Sequence, residues 1–388
     1  MSASIQSVYI HIPFCQQICH YCDFTKFFYN ENQANQYLEA LANEINVQVP
    51  GKHNPVKTIF IGGGTPTALN LQQLRKLLGL VNEKFDVANC EEFTIEANPG
   101  DFDTEKIKLL RDYGVQRVSL GVQVFDDNML VEIGRLHKVS DVYQTIDLLH
   151  QHGFANISID LIYALPTQTL EDFRHTLDEA VQFQLPHYST YALQIEPKTV
   201  FYQRYHKGKL HRPPQETEVA MYELLRQTMQ QNGLVQYEIS NFAKPGFESQ
   251  HNLTYWNNNY YYGFGAGAHG YLPGKRTGNI RPLPAYVKQA LLDGKPILNT
   301  ETIGIKEQIE EEMFLGLRKL AGVSKQIFQE KFGFPLDTLY QSEMTLLKQK
   351  GWLHDDGYVV RLTDQGLLFG NEVFEKFLLE DDDLVLLR

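Results

Sequence analysis

The sequence predicts an α/β protein in which helices surround a mostly parallel sheet and a smaller α+β domain follows. Two observations carry this expectation. From Val8 to about Leu193, short β-branched or aromatic runs alternate with longer runs whose apolar residues recur every three or four positions. Beyond about Glu310, three helical runs lead into a short hairpin. Length agrees, because 388 residues exceed the usual single domain unless one domain is a barrel of roughly 200 to 250 residues.

Taken in order, the expected strands are Val8–Phe14, Thr58–Gly63, Glu92–Asn98, Arg117–Gln123, Asn156–Tyr163 and His187–Leu193. Between them the spacing predicts helices at about Asn35–Val47, Leu71–Asn82, Thr104–Tyr113, Asp141–Gln151 and Leu170–Phe183. Thr104 and Glu105 suit a helix start, while Gly114 and Gly153 suit helix stops. Six such units make either an open doubly wound sheet or a partial barrel, and both place ligands at the carboxyl ends of the strands.

After Leu193 the pattern breaks into a stretch rich in Pro, Gly, Tyr and Asn, from about Glu196 to Pro284, with one clear helix near Glu216–Asn232. Helical runs at Glu310–Lys319, Ser324–Phe332 and Leu336–Lys350 then precede a hairpin that turns at Asp356-Gly357, which suggests a winged-helix-like module. The expected division is therefore a core at 1–195, a connecting region at 196–305 and a C-terminal domain at 306–388.

Net charge is −12 and the sequence pI is about 5.6, which argues against broad electrostatic binding to nucleic acid. The acidic run Glu380–Asp383 points the C-terminal module toward a lid or protein contact instead. Of four cysteines, three fall within eight residues, so the chain lacks the pairs of a secreted disulfide framework and fits a reducing cytoplasm. The first residues have no basic region followed by an apolar core, and nowhere do eighteen apolar residues run together. Peripheral contact with a membrane stays open.

Cys15, Cys19 and Cys22 lie four and then three residues apart at the end of the first expected strand. One tight loop can aim all three sulfurs at a common point. Three thiolates are one short of the four that close a cubane cluster or a structural zinc site, which leaves one iron open to an outside ligand. Zinc with His20 or Asp23 as fourth ligand is the plainer alternative. Cys90, before the third strand, reads as a structural thiol.

Gly62-Gly63-Gly64-Thr65-Pro66 follows the second strand, where glycines permit close backbone approach to a ligand. Alone it is equally a tight strand-to-helix turn. Glu96 and Gln123 end their strands, Arg135 lies twelve residues beyond Gln123, and Asp160 interrupts an apolar run where an unpaired charge is costly. Singly these are capping or ion-paired residues; together they mark one end of a barrel.

The stretch Tyr9–Phe24, with Gly62–Pro66, Glu96–Pro99, Gln123, Arg135 and Asp160–Leu165, resembles the radical S-adenosylmethionine (SAM) superfamily along nearly the whole chain. Within it, the chain is similar to the oxygen-independent coproporphyrinogen III oxidase-like branch. The resemblance implies a partial (β/α)6 barrel with a smaller C-terminal domain, and a [4Fe-4S] cluster on Cys15, Cys19 and Cys22 whose fourth iron SAM chelates. It also implies SAM contacts from Tyr9, Gly64, Thr65, Pro66, Glu96, Gln123, Arg135 and Asp160.

That branch contains decarboxylating oxidases and a heme-chaperone group. The oxidases carry a cysteine two positions after the third cluster cysteine and a longer arm before the first strand, whereas this chain has Phe24 and a first strand that begins by Val8. His251-Asn252-Leu253-Thr254-Tyr255-Trp256 matches the HNxxYW signature of the chaperones. Around it, Tyr260, Tyr261, Tyr262 and Phe264 offer aromatic faces, and Gly263, Gly265, Gly267 and Gly270 allow close approach of a flat macrocycle. His251 or His269 is the candidate iron ligand; an aromatic loop over the barrel mouth is the plainer reading. The expected function is binding heme and transferring it to acceptor hemoproteins, membrane-bound respiratory enzymes among them. The expected alternative is an oxygen-independent coproporphyrinogen III dehydrogenase. A homodimer is compatible with the resemblance.

Overall fold

The computed structural model describes residues 5–380; Met1–Ser4 and the acidic run beyond Glu380 lie outside the described residues. The chain begins with β1 (Ser7–Ile12), β2 (Phe14–Cys15), β3 (Phe27–Phe28) and α1 (Glu31–Gln48). Repeated units follow: β4 (Thr58–Gly63) and α2 (Leu71–Lys84), β5 (Glu92–Ala97) and α3 (Thr104–Asp112), then β6 (Arg117–Gln123) with α4 (Asp127–Glu132) and α5 (Val139–Gln151). β7 (Asn156–Tyr163) and α6 (Leu170–Gln182) lead to β8 (His187–Ala192). β1, β4, β5, β6, β7 and β8 pair in that order, all parallel, as expected from the alternating runs.

Capping explains several of these boundaries. Asn70 and Thr169 each close a reciprocal capping box at the start of α2 and α6, and Asp103 accepts the Lys106 amide at the start of α3.

The stretch from 196 to 305 does more than connect. It holds α7 (Val200–His206), α8 (Gln215–Gln231), β9 (Val235–Glu238), β10 (Asn241–Ala243), α9 (Gln250–Trp256), β11 (Tyr261–Phe264), β12 (His269–Leu272), β13 (Lys275–Asn279), α10 (Leu283–Asp293) and β14 (Ile297–Thr302). β10 and β9 extend the sheet beyond β8, while β11 adds to β1 in parallel and β12, β13 and β14 continue antiparallel. The result is one twelve-stranded sheet. These added strands are short, glycine-rich and polar, so no run of alternating apolar residues betrays them.

Alternation across the parallel strands separates two environments. Val8, Ile10, Ile59, Ile61, Ile95, Val118, Leu120, Ile157 and Ile159 pack outward against the helices in the main core. Ser7, Thr58, Glu92, Arg117, Ser158 and His187 point the other way, into the lumen, at the amino-terminal ends of the strands. Helix α9 plugs that end. Ser7 meets Thr254 at 2.9 Å, and the Glu92 carboxylate accepts the Gln250 and His251 amides at 2.9 and 3.1 Å.

The C-terminal domain has its own core around Met313, Phe328, Tyr340 and Phe377. It comprises α11 (Ile305–Gly316), β15 (Val323–Ser324), α12 (Lys325–Phe332), α13 (Asp337–Gln349), β16 (Leu353–Asp355), β17 (Val359–Leu362), α14 (Asp364–Leu368) and α15 (Gly370–Phe374). The hairpin turns at Asp356-Gly357, where Asp356 accepts the Tyr358 and Val359 amides, and β15 joins it as a third strand. The three helices before the hairpin, α11, α12 and α13, together with this wing agree with the winged-helix-like expectation, and α14 and α15 follow it.

Candidate functional site

A cavity of about 400 Å³ opens at the carboxyl ends of the parallel strands. Cys15, Cys19 and Cys22 line one side of it. Their loop is pinned at its base, where β2 pairs with β3 and the Tyr29 amide donates to the Cys15 carbonyl at 2.9 Å. Its middle is held by His20, whose amide donates to Ile133 and whose ring bonds the Glu132 carbonyl at 2.8 Å. This bond fixes the ring through Nδ1 at the middle of the loop.

Among the described residues, no three Cys, His, Asp or Glu side chains converge closely enough for a single ion. Zinc gathers its sulfurs about 2.3 Å from one point. A cubane is larger and takes its thiolates at separate corners, so three cysteines that line one cavity without meeting at a single ion's distance suit a cluster better. Burial, foremost, pushes the Cys15 thiol up to about 12 and raises that of Cys22, so both stay protonated until a metal takes the thiolate.

Against this loop lies the glycine turn. Gly63 has φ +113°, a backbone shape that excludes most side chains, and a Cβ on Gly64 would stand 3.0 Å from Cys15 Sγ. The turn is therefore a backbone cradle against the cysteine loop. From Cys15 a chain of contacts crosses the cavity rim. Thr65 lies 3.6 Å from Cys15 Sγ, Asn98 donates to Thr65 at 3.1 Å, and Arg135 donates to Asn98 at 2.5 Å and to the Tyr21 hydroxyl at 2.7 Å.

Two carboxyl groups face the same space. Glu96 accepts the Gly63 amide at 2.9 Å, and Ser119 donates to Asp160 at 3.1 Å. Burial raises both above the usual carboxylate range, Glu96 to about 7, with Asp160 adding to the rise of Glu96. Of the expected SAM contacts, Gly64, Thr65, Glu96, Gln123, Arg135 and Asp160 line this cavity. Pro66 is buried in a short turn outside it, and Tyr9 faces a different cavity. Asn98, Tyr21 and Ser119 escaped sequence reading because their importance lies in the partners they hold, not in their type.

The second cavity, also about 400 Å³, adjoins the first through Asp23, Phe24, Gly63 and Glu96. Its other walls include Tyr9, Phe60, His251, Asn252, Tyr255, Tyr261, His269 and Arg281. Phe24 is 59% exposed, an unusual position for a large apolar ring, and stands between the two spaces.

The HNxxYW segment is helix α9, and it divides its side chains. His251, Asn252 and Tyr255 face the second cavity. His251 is buried, with one ring nitrogen bonded to Thr58 and the other to Tyr255, both at 2.8 Å, and its ring is stacked on Phe60. Burial, with Arg117 adding, lowers its pKa to about 3. Trp256 does not join the others: it turns toward the C-terminal domain under the Arg318 guanidinium, 4.4 Å from the ring centre. Trp256 is the last residue of α9 and follows Tyr255 by one position, off the face that His251 and Tyr255 share. Cys90 is buried, its thiol bonded to the Lys57 and Glu92 carbonyls, in keeping with a structural role.

Comparison with known proteins agrees with this geometry. Residues 9–180 match the radical SAM superfamily and residues 306–369 match the HemN C-terminal domain. A protein named heme chaperone HemW from Bacillus subtilis is 50% identical, over 96% of this chain and 99% of its own length. A Lactococcus lactis protein of the same name is 46% identical over 97% of this chain and 98% of its own, and one from Escherichia coli is 32% identical over 96% and 98%. In structure, the chain is similar to coproporphyrinogen III oxidase (HemN) from Escherichia coli, with a TM-score of 0.84, 97% of this chain and 90% of that one covered, and 22% identity, a likeness of fold. The chain belongs to the radical SAM superfamily and, within it, to the family of the heme chaperone HemW.

Proposed function

We propose that the protein binds heme and transfers it to acceptor hemoproteins while holding a [4Fe-4S] cluster and an exchangeable SAM molecule. Identity over nearly full length with proteins named as heme chaperones supports this reading. The observation that carries it is the second cavity, aromatic along one wall, set directly beside the cysteine loop and separated from it by Phe24. Membrane-bound respiratory hemoproteins are the acceptors that fit the family. None of the helices among the described residues is long and apolar enough to cross a membrane.

Cys15, Cys19 and Cys22 would hold three irons, and the cluster with SAM supplies one-electron chemistry at a sulfonium centre. The chain's own residues do the positioning. Gly62–Gly64 keep side chains out of the ligand's way. Arg135, fixed by Asn98 and Tyr21, offers a charge, while Glu96 and Asp160 offer acceptors for hydroxyl groups or a cationic amine.

Hemin titration of the purified protein, followed by absorbance, tests the reading: saturable one-to-one binding is expected. Anaerobic incubation of the cluster-loaded protein with SAM, reductant and coproporphyrinogen III tests the alternative. Robust formation of protoporphyrinogen IX would replace the chaperone by a dehydrogenase.

A further inference from the structure

We infer that His269, not His251, is the axial iron ligand of bound heme, and that Arg281 pairs with a heme propionate in the same cavity. The inference rests on the heme-binding reading above and deepens it. Both histidines face the second cavity, but they differ in what their rings already do.

His251 has no free nitrogen. Thr58 and Tyr255 take one each, the ring is 1% exposed, and Phe60 covers a face. For its Nε2 to reach iron, the Tyr255 hydroxyl must give up its partner in a buried setting, a cost met before any bond to iron forms. His251 is thus a strut that fixes α9 to β4.

His269 is at the start of β12, exposed, and its ring has no hydrogen bond among the described residues. The backbone around it is built for close approach. Gly263 lies so near that a Cβ there would overlap the His269 carbonyl, and a Cβ on Gly278 would come within 3.3 Å of His269 Cε1. Gly278 leaves space beside the imidazole that another residue would crowd, while Gly263 lets the backbone of β11 come close to that of β12. Burial of part of the ring, then Arg281 and Arg276, lowers the His269 pKa, which favours the neutral imidazole with a lone pair available to a metal.

The two arginines have different fates. Arg276 is committed to a two-pronged contact with Glu311 at 2.8 and 2.9 Å. Arg281 lines the cavity, is exposed, and forms no ion pair among the described residues. A guanidinium matches a carboxylate with two parallel hydrogen bonds. Phe24, Tyr255 and Tyr261 supply apolar ring faces for the macrocycle in the same cavity. Heme has this distribution: an iron at the centre, an apolar disc, and carboxylates at one edge.

The test is hemin titration of the full chain and of three variants, with affinity and Soret position as readouts. In His269→Ala the Soret band is expected to shift and affinity to fall at least tenfold, with added imidazole restoring the band. Arg281→Ala is expected to weaken hemin about fivefold and to leave hemin dimethyl ester, which has no carboxylates, unchanged. His251→Phe, which keeps the ring stack on Phe60, is expected to retain the wild-type Soret position. Wild-type binding that survives His269→Ala with an unaltered spectrum overturns this assignment alone. Failure of the wild-type chain to bind hemin overturns the heme-binding reading with it. A fall in affinity for the dimethyl ester equal to that for hemin in Arg281→Ala removes the propionate contact.

Discussion

Glu96 accepts the backbone amide of Gly63 at 2.9 Å, so the end of one parallel strand holds the turn that follows its neighbour. A Cβ on Gly62 would stand 2.7 Å from the same carboxylate and equally close to Phe60 Cε1. Gly62→Ala should therefore displace Glu96 from Gly63 and loosen the cradle. The expected result is at least a tenfold loss of SAM affinity by equilibrium dialysis, with little change in the thermal midpoint. Undiminished affinity would show that the cradle tolerates the added methyl group and does not set binding.

The cysteine trio and Cys90 should separate cleanly in iron analysis. Cys19→Ser is expected to lose the cluster, because its sulfur lines the cavity on a pinned loop with no spare thiol nearby. Cys90→Ser should keep full iron content, since its side chain bonds only backbone carbonyls on the far side of the chemistry. Retention of a full cluster in Cys19→Ser would contradict the three-thiolate assignment.

Much of this was legible in the sequence because the residues involved mark backbone geometry or metal chemistry directly. Cys15, Cys19 and Cys22 share a short loop, so their spacing alone implies convergence; Gly62–Gly64 at the end of a strand signal close backbone approach, and Gly63 takes φ +113° there. The six parallel strands were readable because their outward faces are continuously apolar. What stayed hidden depends on contacts between distant segments. Nothing local says that Tyr261–Phe264 pairs with Ser7–Ile10, or that Trp256 turns away from His251 to meet Arg318. Asn98 likewise looks like any residue before a proline until Arg135 and Thr65 are seen on either side of it.

Glu92 carries helix α9. Its carboxylate accepts two backbone amides and the Ser249 hydroxyl at the helix start, and it is buried. Glu92→Ala leaves those donors without a partner, at a cost of roughly 2 to 4 kcal/mol in urea unfolding. Because α9 positions Tyr255 and Asn252 at the second cavity, hemin affinity should fall with it. Loss of stability without any loss of hemin affinity would detach α9 from heme binding.

Glu44, which lines neither cavity, sets a pH dependence of its own. It is buried between α1 and the added strands, accepts hydrogen bonds from Gly265, Asn279 and Tyr286, and burial outweighs those donors to push its pKa up to about 7. In the unfolded chain it titrates near its ordinary value of about 4.3. Between these values the folded state holds the extra proton, so stability present below about pH 4.3 is lost as pH rises toward 7. Urea midpoints measured from pH 5 to 8 should fall more steeply in the wild type than in Glu44→Gln. Parallel slopes would place the titration elsewhere.

Arg318 joins the two cores. Its guanidinium covers Trp256, its charge favours the ionised form of the buried Glu238, and the next residues of its segment bond to the barrel, Lys319 to Asn257 at 2.5 Å and Leu320 to the Tyr237 carbonyl at 3.1 Å. Burial already raises the Glu238 pKa; removing Arg318 takes away the leading opposing influence and raises it further. A carboxyl group with a raised folded pKa loses stabilisation as pH rises, so Arg318→Ala should cost more at pH 8 than at pH 5, roughly 1 to 3 kcal/mol at the higher value. Limited proteolysis should then cut sooner between the barrel and the C-terminal domain at pH 8. Equal protection at both pH values would mean that Trp256 stacking, rather than charge, holds the domains together.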